Sequence, residues 1–466
     1  MASTGRVGTG LLGTFGLALA GLMAYTLAYQ GCAGPDPPGP GRDASAEVAV
    51  FFTDRRDWSH FRRAVEACAR RGLCKPVAEA DDSIVVATPR LGRRVRFGWH
   101  GIRGVGETRD EVGRIAGAEP PPVAVIGSST TVLTVALAEP LSEMGPSGPV
   151  LLVPWATAVL AGGPRPGSRP VPLLEIDRGR TFRFCPNNRR LADSVVDCLM
   201  EQDGGRPPAR VFLVVDPLDP YSVDLADCFR RAIRSRAPSA EIVERPDAVG
   251  VPPTARSLGA AAIPWVAEAA LADAIWSATE GAPDDRITWA VLPLQGDPTR
   301  RMLAALQSRA SWRAAGRGDG PLRVVSGDGI GRETLDGLTA RRSFPIWSAS
   351  TSSPCPAGLG VTNDTQTLAE VASAVLLAVE RSPRAIPTPD EVRGALAALD
   401  LPESDPSAFG RPLRFAPDGE RKDDPGYVLA VRPGVPAVIE FGLGKDGRWI
   451  RAGVAAPAPA PAGERP

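Results

Sequence analysis

The sequence predicts an α/β protein: parallel sheets covered by helices, with more than one core. Three observations carry this expectation. From residue 47 onward, short apolar runs ending in Gly, Pro or Asp alternate with helical patterns. The length of 466 residues is about three times that of a typical domain. Apolar residues make up 43% of the chain and charged residues 23%, a balance that excludes wholesale disorder, collagen-like sequence and a polytopic membrane protein.

At the amino terminus, Gly10 to Ala28 is an uncharged apolar run long enough to span a bilayer. Arg6 precedes it and Asp36 follows it, which places the rest of the chain outside the cytoplasm. Residues 1–31 therefore read as an N-terminal membrane-spanning helix or a signal segment. Three versions stay open: an uncleaved anchor, a cleaved signal peptide, and a lipoprotein signal using Cys32 behind Gly31. Each leads to the cell envelope, with the globular part in the periplasm. Residues 32–46 form a Pro/Gly-rich linker, and 453–466 an Ala/Pro-rich tail without side chains for a core.

In the globular part, Glu47-VAVFF reads as a strand and Phe61-RRAVEACARR as an amphipathic helix. The run Val123–Gly127 is a buried strand, and Ser128 to Thr131 can cap the helix that follows. Further strands are expected at Pro149–Pro154 and Arg210–Pro217, then a helix from Ser222 to Arg234. ITWAVLPL, RMLAALQSRA and LRVVSGDG continue the rhythm up to Asp328. In open α/β sheets ligands bind beyond the carboxyl ends of strands. That singles out the segments after Gly127, Pro154, Asp216 and Ser326.

Charge and motif content narrow the function. Fifty-three Lys+Arg balance 53 Asp+Glu, so no nucleic-acid partner is expected. Two histidines, His60 and His100, do not suffice for a histidine-built metal site. No P-loop, G-x-S-x-G or H-E-x-x-H occurs, so neither catalysis nor a cofactor is expected. Of seven cysteines, Cys68 and Cys74 are close enough in sequence to bridge a helix end to its loop; buried free thiols are the alternative, as for Cys198 and Cys228. Arg90, Arg93, Arg94 and Arg96 read as a solvated face.

Taken in order, the segments Ile126-Gly127-Ser-Ser-Thr-Thr, Val153-Pro-Trp-Ala-Thr157, Phe182-Arg-Phe184, Val215-Asp-Pro-Leu-Asp-Pro-Tyr221 and Phe409 to Gly419 resemble those of the branched-chain amino-acid-binding proteins of ABC transporters. The resemblance covers about residues 120–450. It implies the type I periplasmic binding fold: two Rossmann-like parallel-sheet lobes joined by three crossovers, with 47–184 and 348–411 in the first lobe and 185–347 and 412–452 in the second. The crossovers would lie near Phe184, Pro345–Ser350 and Arg411–Leu413. This sequence departs from the pattern in its first loop, FFTDRRDWSH, which lacks a glycine, and in the Arg-rich stretch Leu91–Arg114.

A zwitterionic ligand needs donors for its carboxylate and an acceptor for its ammonium. Ser129, Thr130 and Thr131 offer hydroxyls, free N–H groups and a positive helix end. The resemblance adds Ala156 and Thr157 on the same lobe, Tyr221 from the opposite lobe, and Asp328 where the family has a Glu that holds the ammonium. Each also has a plainer reading: Ser128–Thr131 and Thr157 as helix caps, Tyr221 as a rim aromatic, Asp328 as a turn residue, and Trp155 as packing beside the cleft. The functional expectation is a non-enzymatic, membrane-tethered solute-binding protein for an amino acid or related small molecule, partnered by an ABC permease. The alternatives are an extracytoplasmic sensor that regulates a partner, or a scaffold with a degenerate cleft.

Overall fold

The computed structural model describes residues 45–452 apart from 163–169, 218, 245–264, 280–285, 314–319, 339–343, 352–361, 424–425, 434, 436 and 445. They belong to one compact unit, Ser45–Pro466. The apolar run Gly10–Ala28, Cys32, Cys355 and the tail lie outside the described residues. Among the described residues, no helix is long and apolar enough to cross a membrane.

Strand β1 (Ser45–Phe52) runs into α1 (Arg55–Arg70), followed by β2 (Lys75–Ala80), β3 (Ser83–Ala87) and β4 (Arg94–Gly101). Next come α2 (Val105–Ala116), β5 (Ala124–Gly127), α3 (Thr131–Glu143) and β6 (Val150–Val153). A small pair, β7 (Leu160–Ala161) and β8 (Val171–Pro172), precedes β9 (Thr181–Arg183). The resulting seven-stranded sheet has the order β2-β3-β4-β1-β5-β6-β9. Strands β4, β1, β5, β6 and β9 are parallel, while β2 and β3 add an antiparallel edge. Side chains of β1 alternate between two cores. Val48, Val50 and Phe52 face α1; Ala49 and Phe51 face α2 and α3.

Helix α1 buries Trp58, Phe61, Val65 and Cys68 at helical spacing. It begins before the expected Phe61, because the Asp54 carboxylate accepts from Asp57 N at 2.9 Å and caps the first turn. The departing first loop thus contracts to Thr53 and Asp54. The Arg-rich stretch also has order: Val95 and Phe97 are buried and alternate with Arg94 and Arg96 along β4.

Beyond β9 the chain forms α4 (Asn188–Gln202), β10 (Arg210–Leu213), α5 (Pro220–Arg236), β11 (Glu241–Glu244) and α6 (Trp265–Thr279). It continues through β12 (Thr288–Leu292), α7 (Asp297–Arg313), β13 (Leu322–Ser326), α8 (Arg332–Leu338) and β14 (Ile346–Ser350). Then come α9 (Asn363–Arg381), α10 (Pro389–Ala397), β15 (Asp400–Leu401) and β16 (Leu413–Arg414). Three last strands, β17 (Tyr427–Val431), β18 (Ile439–Leu443) and β19 (Trp449–Arg451), complete an eight-stranded sheet, β11-β10-β12-β13-β14-β17-β18-β19. Its first five strands are parallel and its last three antiparallel. Helices α4 and α5 cover one face, α6 and α7 the other.

Helix α9 packs away from this second sheet. Leu368, Val371, Val375 and Val379 share the core of β1 and α1. Leu413 and Phe415 are in the same core, with Phe415 edge-on to Phe182 and Phe184 at 5.2 and 5.1 Å. The chain therefore re-enters the second sheet only at Tyr427, later than the Arg411–Leu413 expectation. Arg93 is not simply solvated: its guanidinium donates to Val379 O at 2.7 Å and caps the end of α9. Cys68 and Cys74 are buried free thiols, so no bridge joins them; Cys198 and Cys228 are buried free thiols as well, and Cys185 is buried. Cys68 Sγ instead donates to Ala369 O.

Candidate functional site

Helix α3 starts where β5 ends. Thr130 is its N-cap, and its hydroxyl accepts from Leu133 N at 3.3 Å. Ser128 is fully buried and donates to Thr130 O at 3.1 Å. The capping reading of this segment thus accounts for Ser128 and Thr130. Ser129 and Thr130 are half-buried. Thr131 is buried, with a hydroxyl that meets no hydrogen-bond partner. The start of α3 consequently retains an unused donor on its first turn.

After β6 the chain presents Trp155, Ala156 and Thr157. Trp155 packs on Phe52, with ring centroids 5.5 Å apart, which is the packing role expected of it. Ala156 and Thr157 are buried. This segment is held by Arg183 on the neighbouring strand β9 and by residues of α4 and α5. Thr157 O accepts from Asn188 N at 2.6 Å, and Ala158 O accepts from the Arg183 guanidinium at 2.6 Å. Asp224 on α5 accepts from Val159 N at 2.8 Å, Leu160 N at 3.0 Å and Asn188 Nδ2 at 2.9 Å. Burial pushes the Asp224 carboxyl up, and these donors oppose the shift.

Tyr221 stands in the first turn of α5, where the Asp219 carboxylate accepts from its N–H at 3.1 Å. The ring is buried, and its hydroxyl donates to Asp328 Oδ1 at 2.5 Å. Asp328 follows β13 between Gly327 and Gly329, and both glycines are sterically required. A Cβ on Gly327 would lie 2.5 Å from Leu225 Cδ2 and 3.0 Å from the Tyr221 hydroxyl; one on Gly329 would lie 2.0 Å from Leu294 O. The glycines bring Asp328 against Tyr221, which is more than an ordinary turn needs. Burial pushes the Asp328 carboxyl up to about 6, while the Tyr221 and Thr157 hydroxyls beside it act in the opposite sense. Thr157 Oγ1 faces this carboxyl without a hydrogen bond of standard geometry. Burial and the adjacent Asp328 raise the Tyr221 phenol well above its ordinary range, so it stays a donor.

Three of the expected residues therefore converge: Thr157 from the first sheet's end, Tyr221 and Asp328 from the second's. Ser129, Thr130, Thr131 and Ala156 lie on the first sheet's side; α3 and α5 approach each other there. Gln295, just beyond β12, acts on the Tyr221 phenol against the upward shift and was not foreseen. Its signal was available, since it follows a strand end like the four singled out. Asn188 and Asp224 gave none, because their partners are remote in sequence.

His100 lies elsewhere, at a cavity of about 420 Å³ beside β4 and α2. Its Nδ1 contacts Glu111 Oε1 at 2.6 Å and its ring stacks on Phe51. Burial lowers its pKa and Glu111 opposes this. Among the described residues no His, Cys, Asp and Glu group could hold a metal ion.

No protein-family model matches the chain, and no curated protein matches it either. Solved structures do. An ABC transporter substrate-binding protein from Desulfitobacterium hafniense in complex with Leu superposes with a TM-score of 0.55 at 16% identity, over 88% of this chain and all (100%) of that one. The leucine-binding protein LivK from Thermotoga maritima gives 0.56 at 14% identity, over 84% and 97%. LivJ from Streptococcus pneumoniae, in complex with isoleucine, gives 0.56 at 13% identity, over 88% and 100%. At such identities the likeness establishes the fold: this is the type I periplasmic binding fold, and its structural neighbours are mostly branched-chain amino-acid ABC transporter substrate-binding proteins.

Proposed function

We propose that this chain is an extracytoplasmic solute-binding protein that captures a small amino-acid-like molecule between two lobes and delivers it to an ABC permease. The fold supports solute binding, since its neighbours in complex with Leu and isoleucine are substrate-binding proteins. The observation that carries the proposal is the meeting of Thr157, Tyr221 and Asp328 at the facing ends of the two sheets. Asp328 supplies an acceptor for an ammonium group. Thr131, with its unpartnered hydroxyl on the first turn of α3, and the neighbouring Ser129 and Thr130 supply donors for a carboxylate. Ala156 shapes the wall between them, and Tyr221 turns its hydroxyl from Asp328 to the ligand on closure.

The lobes expected from the sequence are 47–184 with 348–411 and 185–347 with 412–452; β14, which belongs to the second sheet and runs to Ser350, moves the second crossing beyond that residue. The positions of Leu413 and Phe415 in the first core move the third crossing to between Phe415 and Tyr427. The segment Gly10–Ala28 tethers the globular part to the cytoplasmic membrane, whether kept as an anchor or replaced by a lipid on Cys32. A thermal-shift screen of the full chain against amino acids, small amides, carboxylates and sugars tests the proposal. An amino acid at a hundred times its dissociation constant should stabilise the protein by about 2.7 kcal/mol. A shift with sugars alone, or with nothing, would reject it.

A further inference from the structure

Between the two sheets, Glu370 on α9 sits between two guanidinium groups. Glu370 and Arg411 are 0% exposed and Arg421 1%. Arg411 Nε donates to Glu370 Oε1 at 2.8 Å, and its Nη2 to Glu370 Oε2. Arg421 Nη1 donates to Glu370 Oε2 at 2.7 Å, and its Nη2 to Oε1 at 3.2 Å. Both forks are therefore bidentate on a single carboxylate. Burial alone would raise the Glu370 carboxyl, but the two cations hold it below its ordinary value.

One further N–H of Arg411 Nη2 reaches the Thr367 hydroxyl on α9 at 3.1 Å; the other donors reach main-chain carbonyls, two of them at the starts of the first and second crossings, while Arg421 itself stands in the third, between Phe415 and Tyr427. Arg421 Nη1 donates to Phe184 O at 2.8 Å, just after β9, and its Nη2 to Pro412 O at 2.8 Å, just before β16. Arg411 Nη1 donates to Thr351 O at 3.1 Å, just after β14. The last crossing also lies directly on the first. Gly419, at φ +86°, leaves no space for a Cβ, which would fall 1.9 Å from Thr181 O, and its own carbonyl accepts from Arg183 N at 2.9 Å.

A buried carboxylate with two buried cations is a costly way to fill a core, because well-packed apolar side chains hold equally well or better. What the cluster adds is direction. Planar forks fix the angle at which each carbonyl approaches, whereas apolar packing would leave the segments free to slide. We infer that Glu370, Arg411 and Arg421 form the pivot of the hinge: they pin the three crossings at one point and so set the axis and range of lobe closure. The inference rests on the two-lobe reading. It is independent of ligand identity, because it concerns the ligand-free chain.

The test is the distribution of interlobe distances in the full chain without ligand. Spin labels carried on non-canonical residues at Val77 in the first sheet and Ile450 in the second, both 44% exposed, report it while leaving the native thiols alone. Arg421→Lys keeps the charge and loses the fork. The combined change Glu370→Leu, Arg411→Met, Arg421→Met removes the buried charges and keeps the volume, so it remains folded even where single changes do not. Both are expected to widen the distance distribution about twofold. If the folded triple variant, verified by its melt, gives the distribution of the wild type, the cluster only fills a core and the inference is overturned. Failure of every solute to bind would count against solute capture and leave this result standing.

Discussion

If the proposed function holds, Asp328 joins stability and binding at a single carboxyl group. Its value in the folded protein, about 6, lies above the ordinary 3.8. A raised carboxyl favours the folded state below its ordinary value, and the benefit is lost as pH rises through the folded value. Wild type should therefore lose stability between about pH 4 and pH 7 on account of this group, by at most about 3 kcal/mol. Asp328→Asn stands in for the neutral form and can still accept from Tyr221. It should melt higher than wild type at pH 7.5, with the gap closing towards pH 4. A gap that does not change with pH would show that burial does not penalise this carboxylate. Thr157→Ala should weaken ligand binding by about 1 kcal/mol, as expected for one neutral hydroxyl, measured by titration. Asp328 was legible in the sequence because it follows an apolar strand. What could not be read there was its contact with Tyr221, because the two residues are 107 positions apart and the fit depends on Gly327 and Gly329.

At the scale of elements, alternating apolar runs announced β5, β6, β10, β12 and β13, since a strand buried on both faces writes itself as a continuous apolar string. The start of α1 was hidden because Arg55 to Asp57 is polar and shows no period, although Asp54 carries a capping signal. Strand β4 was hidden by its arginines, which alternate with Val95 and Phe97. Such side chains count as surface until their partners are known, and Arg93 finds its partner at the end of α9, nearly 290 residues away (286 by sequence separation). Removing it should leave the carbonyl of Val379 with only the Ser382 N–H, at 3.3 Å, and take away the guanidinium donor to Ser382 O. Arg93→Ala is expected to destabilise the protein by about 1 kcal/mol in denaturant titration, with the slope unchanged. An unchanged midpoint would mean that water replaces the guanidinium fully. The Asp224 clamp belongs to this scale too, for it ties the Thr157 segment to α5 through two main-chain N–H groups.

The whole molecule depends on long-range ionic pairs that no local pattern announces. Glu370 meets Arg411 and Arg421 at separations of 41 and 51 residues. Glu370→Ala would leave two buried cations facing each other, and a loss of about 3–5 kcal/mol is expected from chemical denaturation. A loss below about 1 kcal/mol would mean that water enters the site freely. Topology is a further whole-chain expectation. A reporter fused after Ser45 should be active only on the outer side of the cytoplasmic membrane, and activity in the cytoplasm would contradict the envelope location. The central claim is that the facing sheet ends, with Asp328 between them, bind an amino-acid head group. Calorimetric titration of the wild type and Asp328→Asn with the amino acid that raises the melt tests it most directly. The account predicts saturable binding with one site and a ten- to hundredfold weaker dissociation constant for the variant, about 1.5–3 kcal/mol. Equal affinity in a folded Asp328→Asn protein, or no heat with any amino acid, would contradict it.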